Sequence, residues 1–231
     1  MINTRFNPSA NGGLHLGHVY IALINEALAR NSGGGFFVRW DDNNPPYKIW
    51  GRERLDAVCA AQREELEWLG FRADAWIQQS RIEEETTAEL AALGWVPMAE
   101  DDPIHTPELI SEPYIPLYPC TPTLTAYKVV MDWQMGVNLL VRGIDLITEY
   151  AHYQYYCRMF DLPQPRHVYL PRLGMAGWDI SKSHGTHGAT IMELRSAGYT
   201  ADQIREMVGK ACLRWYVNGW TLENIKPEPR L

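Results

Sequence analysis

His15-Leu16-Gly17-His18 follows a short extended run, Ile2 to Phe6, and a loop marked by Pro8, Gly12 and Gly13. It opens an apolar-periodic stretch from Val19 to about Arg30 that reads as a helix. Two imidazoles at the start of a helix can face one anion together with the backbone N–H groups there. The intervening glycine leaves room for a nucleobase against the chain. The arrangement is one that handles phosphate, and capping and packing of the helix start is the alternative role for the two histidines.

Outward from this turn the pattern continues as strand, loop, helix, the glycine turn Gly33-Gly34-Gly35, and a strand from Phe36 to Trp40. That is a β-α-β unit, which calls for a parallel sheet. An acidic loop from Asp41 to Pro46 follows. Residues 51 to 69 then place Leu55, Val58, Cys59, Leu66 and Leu69 among charges, as an amphipathic helix does, and Gly70 stops it. Ala75-Trp76-Ile77 reads as a short buried strand, and Glu83 to Leu93 as a helix.

From Val96 to Pro122 the chain carries seven prolines and little periodicity, which predicts an irregular surface excursion. Val129-Val130-Met131, Leu139-Leu140-Val141 and Val168-Tyr169-Leu170 read as strands, with a Tyr-rich helix from Leu146 to Phe160 between the last two. Ile180-Ser181-Lys182-Ser183 is a second short polar motif in a loop. Helices are expected near Thr190 to Ala197 and from Ala201 to about Tyr216, followed by a loose tail. Taken alone, Lys182 reads as a solvated loop lysine; taken with the His15–His18 turn, it reads as a mobile cation for a phosphate.

Composition limits the alternatives. At 231 residues the chain is long enough for a buried core, and 46% apolar and 21% charged residues are ordinary for a globular protein. No apolar run nears the roughly 20 residues of a membrane helix, and the N-terminus lacks a basic-then-apolar leader pattern, so a cytoplasmic protein with no membrane partner is expected. A net charge of −7 argues against a broad nucleic-acid surface. Cys59, Cys120, Cys157 and Cys212 are scattered, with no pairing that suggests a zinc site or a disulfide framework. Buried thiols and no metal site are expected.

The motifs fall in a known order. Thr4-Arg5-Phe6-Asn7-Pro8-Ser9 leads into His15–His18, followed by Phe37-Val38-Arg39-Trp40-Asp41-Asp42, Trp68-Leu69-Gly70 and Gln79-Ser80-Arg81. Met135-Gly136-Val137 runs into Val141-Arg142-Gly143, and Ile180 to Gly185 is followed by Glu193-Leu194-Arg195 and Gly198-Tyr199. The series resembles the catalytic domain of glutamyl-tRNA synthetases, class I aminoacyl-tRNA synthetases, over roughly residues 2 to 205.

The resemblance implies an α/β, Rossmann-like, doubly wound parallel sheet of the nucleotidyl-transferase type, with ATP at the carboxyl ends of its strands. It divides the chain into a first half of the nucleotide fold at 1–81, a shortened connective insertion at 82–121, a second half at 122–175, and the Ser-Lys-Ser loop with C-terminal helices at 176–231. It implies ATP and Mg²⁺ as cofactors and adenylation of an acidic amino acid. His15, His18 and Lys182 would be catalytic, while Gly17, Ser181, Ser183, Gly143 and Asp145 would hold ATP. Arg5, Ser9, Asp41, Leu124, Lys128 and Arg142 would hold the amino acid, the arginines by bidentate contact with carboxylates. For Arg142 a salt bridge to Asp145 or Asp132 is the alternative. For Asp145 a ribose contact stands beside a plain surface carboxylate.

Four positions depart from the family pattern. Asp41 stands where a glutamate is usual, Leu124 where a tyrosine is, Lys128 where an asparagine is, and Asp179 where the first lysine of the second motif is. The middle two predict a rebuilt amino-acid pocket, suited to glutamate or to an analogue with an extra or displaced anionic group. The acceptor-stem insertion is much reduced, and with fewer than fifty residues after the Ser-Lys-Ser loop no anticodon-binding domain is expected. The queuosine-modifying glutamyl paralogue also lacks that domain but keeps a larger insertion, commonly with zinc. The acceptor therefore stays open between a carrier protein or small amine and a tRNA loaded or modified by a compact paralogue. An inactive, regulatory synthetase-like protein is the third possibility.

Overall fold

In the computed structural model the described residues are 1–43, 50–94, 122–171, 174–175, 178–179 and 190–217. Strands β1 (Thr4–Phe6), β2 (Phe36–Trp40), β3 (Ala75–Gln78), β4 (Leu139–Gly143) and β5 (Arg166–Leu170) form one sheet in the order β3-β2-β1-β4-β5. All four pairings are parallel, with Arg5 opposite Phe37, Thr4 opposite Leu139, and Arg142 opposite Tyr169. The strand order reverses between β1 and β4, and in open parallel sheets that reversal opens a crevice at the carboxyl ends. This is the parallel sheet expected from the β-α-β reading, in the Rossmann-like arrangement that the resemblance implies.

Helix α1 (Leu16–Asn31) crosses from β1 to β2, and α2 (Arg52–Trp68) from β2 to β3. The turn leaving α1 needs glycine for a packing reason, since a Cβ on Gly34 would stand 2.0 Å from the Ile2 carbonyl oxygen. Later come α3 (Glu83–Ala92), α4 (Pro122–Gln134), α5 (Glu149–Met159), the antiparallel pair β6 (Gly174–Met175) and β7 (Trp178–Asp179), α6 (Ile191–Ser196) and α7 (Ala201–Val217).

Two compact units emerge from the packing. The first comprises residues 1–80, 137–144 and 165–231, and the second 81–136 and 145–164. The first holds the sheet. Its apolar face carries Phe6, Val38, Trp40, Leu139 and Val141, which cluster with Leu66 and Leu69 and with Ile204 and Val208 of α7. In the second unit α4 packs against α3 and α5.

One expected strand is a helix. Val129-Val130-Met131 lies within α4, which opens on Pro122, where a missing N–H costs nothing. Residues 125–132 are all buried, so no solvent-exposed side marks the helix, and the run Val129-Val130-Met131 is as apolar as a buried strand. Gly136, at φ 65°, ends it. β3 is half-buried along its length, because it is the edge strand.

Cys59 and Cys157 are free and buried, as expected of idle thiols. Burial pushes the Cys59 thiol up to about 11 and the Cys157 thiol up to about 12. Cys120 and the 96–121 part of the proline-rich excursion lie outside the described residues, as does the tail beyond 217. Among the described residues, no helix is long and apolar enough to cross a membrane.

Candidate active site

Strand alternation sorts the sheet's two faces. Arg5, Arg39 and Arg142 fall on the face opposite the apolar cluster, by the registers Arg5–Phe37 and Thr4–Leu139. All three are buried, to 3%, 0% and 4% exposure, with His167 beside Arg142's strand at 3%. Guanidinium groups so removed from water must be met by polar partners; Arg39 reaches the Asn7 side-chain oxygen at 3.3 Å. Arg39 was not singled out from the sequence. Its signal was present, a cation in the middle of the apolar run Phe36 to Trp40.

At the carboxyl end of β1 the loop turns past β2. Ser9 bridges to Asp41, the Asp41 N–H donates to the Pro8 carbonyl at 2.9 Å, and the Ala10 N–H donates to the Asp41 carbonyl at 3.2 Å. The buried Asp41 carboxylate accepts from Gln79 at 3.3 Å. Its neighbour Asp42 is committed to structure. It accepts from the Ser80 N–H at 2.9 Å and pairs with Arg52 at 2.9 Å.

His15 is the N-cap of α1. Its Nδ1 accepts from the Gly17 N–H at 3.1 Å, and His18 Nδ1 accepts from the His15 N–H at 3.3 Å. The rings stack at 3.8 Å. With each Nδ1 accepting, the proton of each neutral ring lies on Nε2, which makes Nε2 a hydrogen-bond donor. Capping and anion contact are therefore compatible, since they use different nitrogens. A Cβ on Gly17 would lie 2.9 Å from His15 Cε1 and 3.1 Å from its Nδ1, so a side chain here would push the imidazole out of its capping position.

The segment after the second motif returns to this turn. Thr190 bridges antiparallel to His15, and the Ile191 N–H donates to the Leu14 carbonyl at 2.8 Å. Thr190 also caps α6, with Glu193 completing a reciprocal capping box. Ser181, Lys182 and Ser183 themselves lie outside the described residues. Asp179 lies on β7, opposite Gly174.

Arg5, Ser9, His15, Gly17, His18, Asp41, Arg142 and Gly143 thus gather in the sheet unit, on or just beyond β1, β2 and β4. Leu124, Lys128 and Asp145 belong to the second unit. Lys128 is buried on α4, 3.9 Å from Glu149 of α5, a partner not foreseen from the sequence. Asp145 is exposed, in a single helical turn after β4.

Residues 1–93 match the family of class I tRNA synthetases (E and Q), catalytic domain. Over those residues the chain is similar to the catalytic domains of that family. It is 27% identical to a glutamate–tRNA ligase of Caulobacter vibrioides over 268 aligned positions, covering 90% of the chain and 55% of that protein. A shorter span of 81 residues is 43% identical to glutamate–tRNA ligase 2 of Dinoroseobacter shibae, covering 35% of the chain and 17% of that ligase. In fold, the synthetase-like domain resembles the crystal structure of a glutamate tRNA ligase from Elizabethkingia meningosepticum in complex with its amino acid. The TM-score is 0.60 at 17% identity, over 90% of this chain and 60% of that one. The domain spans about half the length of the Caulobacter relative.

Proposed function

We propose that this domain activates an acidic amino acid, glutamate or an analogue, with ATP to form an aminoacyl-adenylate. The substrate carboxylate attacks the α-phosphorus, the bond to the bridging oxygen of the β-phosphate breaks, and pyrophosphate leaves with that oxygen. Negative charge spreads over phosphate oxygens in a loose in-line transition state, so the protein's work is positioning and electrostatic stabilisation.

The observation that carries this reading is the bridge between His15 and Thr190. It ties the carboxyl-terminal side of the Ser181–Ser183 loop to the helix start that presents two Nε2–H donors. Lys182 is eight residues from Thr190, a tether of at most about 29 Å if fully extended. In the proposed roles His15 and His18 meet phosphate oxygens, Gly17 leaves space for adenine, and Lys182 with Ser181 and Ser183 takes up the charge of the leaving pyrophosphate. Gly143 and Asp145 serve the nucleoside. Arg5 and Arg142 hold the carboxylates, with Ser9 and Asp41 holding the ammonium group. Among the described residues no group of three or more His, Cys, Asp and Glu is placed to hold a metal. Mg²⁺ in this reading enters bound to the triphosphate, where it neutralises phosphate charge.

The pairing of Lys128 with Glu149 refines the substrate. A resident carboxylate already faces that ammonium, so an extra anionic group on the amino acid is not required. The reduced connection between α3 and α4 favours a carrier protein or small amine as acceptor over tRNA, whose grip needs many phosphate contacts.

The test is exchange of labelled pyrophosphate into ATP, with L-glutamate first and a panel of acidic amino acids and their amides after it. Exchange in the wild type, lost in His18→Ala and in Lys182→Ala, is the expected result. No exchange with any member of the panel overturns adenylation, and ATP binding without turnover then favours a regulatory protein. A gel shift of bulk tRNA at physiological salt decides against the small acceptor.

A further inference from the structure

Gln62 and Glu65 stand three residues apart on α2. Gln62 continues the 4-3-4-3 stripe of Leu55, Cys59, Leu66 and Leu69, where a purely packing role would take an apolar side chain. Both are buried, to 1% and 7% exposure. Gln62 donates its amide to the carbonyls of Ser9 at 3.0 Å and Gly12 at 2.6 Å, and accepts the Trp40 indole N–H at 2.9 Å. Glu65 Oε2 accepts the Leu14 N–H at 3.0 Å. A polar group withdrawn from water is costly unless it is bonded, and these bonds go to the loop that ends at His15.

That loop has little regular structure of its own. A Cβ on Gly13 would make ordinary contacts with Thr190 at 3.5 Å and Glu65 Oε1 at 3.6 Å, so Gly13 lies between α2 and the residue that bridges to His15. The path of residues 9–14 is set from α2, and the N-cap position of α1 follows from the path.

We propose that Gln62 and Glu65 are positioning residues for the triphosphate end of the site, acting through the 9–14 backbone on His15, Gly17 and His18. The inference rests on the adenylation reading above. Neither side chain touches the nucleotide in this scheme. Glu65 fixes the residue before the cap, and Gln62 fixes the middle of the loop against β2 through Trp40.

Calorimetric titration of ATP with Mg²⁺ into the full chain, without amino acid, tests it. The proteins compared are wild type, Glu65→Leu, Gln62→Met and Glu65→Gln. Glu65→Leu and Gln62→Met are expected to weaken ATP binding by about tenfold or more at unchanged stoichiometry, the size of one lost hydrogen bond to a charged or buried partner. Glu65→Gln keeps an oxygen that accepts from the Leu14 N–H, and it should stay within about threefold of wild type. A merely structural role lowers the stoichiometry and the melting temperature and leaves Kd where it was. That result overturns the proposal, as does an unchanged Kd in Glu65→Leu and Gln62→Met, or a Glu65→Gln as weak as Glu65→Leu. Wild type that binds ATP while the variants match it removes only the positioning role. Wild type that binds no ATP removes the adenylation reading and this inference together.

Discussion

The loop before His15 and the helix pair α4–α5 use polar side chains in opposite ways. In the loop, Gln62, Glu65 and Thr190 all bind main-chain atoms or sit against them. In the helix pair, polar side chains bind one another. Lys128 faces Glu149 at 3.9 Å, Tyr153 donates to Asp132 at 2.9 Å, and Thr87 of α3 meets Tyr127 at 2.6 Å. A backbone held by side chains demands one geometry. Side chains held by side chains can be exchanged as pairs, with the backbone left in place. Lys128 and Glu149 form one such pair, open to exchange together within the helix pair.

The largest effect that would sharpen this contrast is on chemistry. His18→Ala should slow pyrophosphate exchange by about 10²–10³-fold, roughly 2.7–4 kcal/mol of barrier, as measured by initial rates at saturating ATP. In the helix pair the comparable effect is on stability. Lys128→Met leaves the Glu149 carboxylate buried without its cation and should cost on the order of 3 kcal/mol in denaturant unfolding. The double variant Lys128→Met, Glu149→Leu should recover most of that loss, and a cycle with no coupling would break the idea of exchangeable pairs. Thr190→Ala removes the α6 cap and should cost about 1 kcal/mol in the same assay, with Thr190→Ser nearly neutral.

The smallest effect is one of pH. Burial raises the Asp74 carboxyl, but hydrogen bonds from the Phe36 N–H and from Arg30, with Arg30's charge, outweigh it and hold the group below its ordinary value. A depressed folded-state value means that Asp74 contributes stability above its unfolded value. That contribution fades as pH falls through the lower, folded one, below about pH 4. Melting curves of Asp74→Asn against wild type should therefore converge as the pH is taken down through that window.

What the sequence revealed follows the same division. Main-chain geometry leaves marks on composition. Alternation around Thr4-Arg5-Phe6 and Phe36 to Trp40, the glycines at 33–35, and the histidine turn were enough to place β1, α1, β2 and the strand order's parallel character. Arg5, Ser9, Asp41 and Arg142 came from the resemblance to the synthetase family rather than from local patterning, and they stand on or just beyond β1, β2 and β4. The interior of the second unit leaves no such marks. α4 is buried on every side over residues 125–132, so its Val-Val-Met run looked like a strand. The Lys128–Glu149 pair joins residues 21 apart on different helices, and no local spacing announces it. Gln62 and Glu65 escaped notice because a glutamine and a glutamate on a charged amphipathic helix read as solvated, while here they face inward.

The strand order has a practical consequence for anyone wishing to trim this protein. β1 lies in the middle of the sheet, yet its two neighbours, β2 and β4, begin 103 residues apart in the chain, at Phe36 and Leu139. Cutting after the family-matched span, residue 93, would strip β4 from β1 and leave a row of bare amide and carbonyl groups along what had been an interior strand. Such a fragment carries the histidine turn intact in sequence, but it should precipitate or pair with other copies of itself before it could meet a nucleotide.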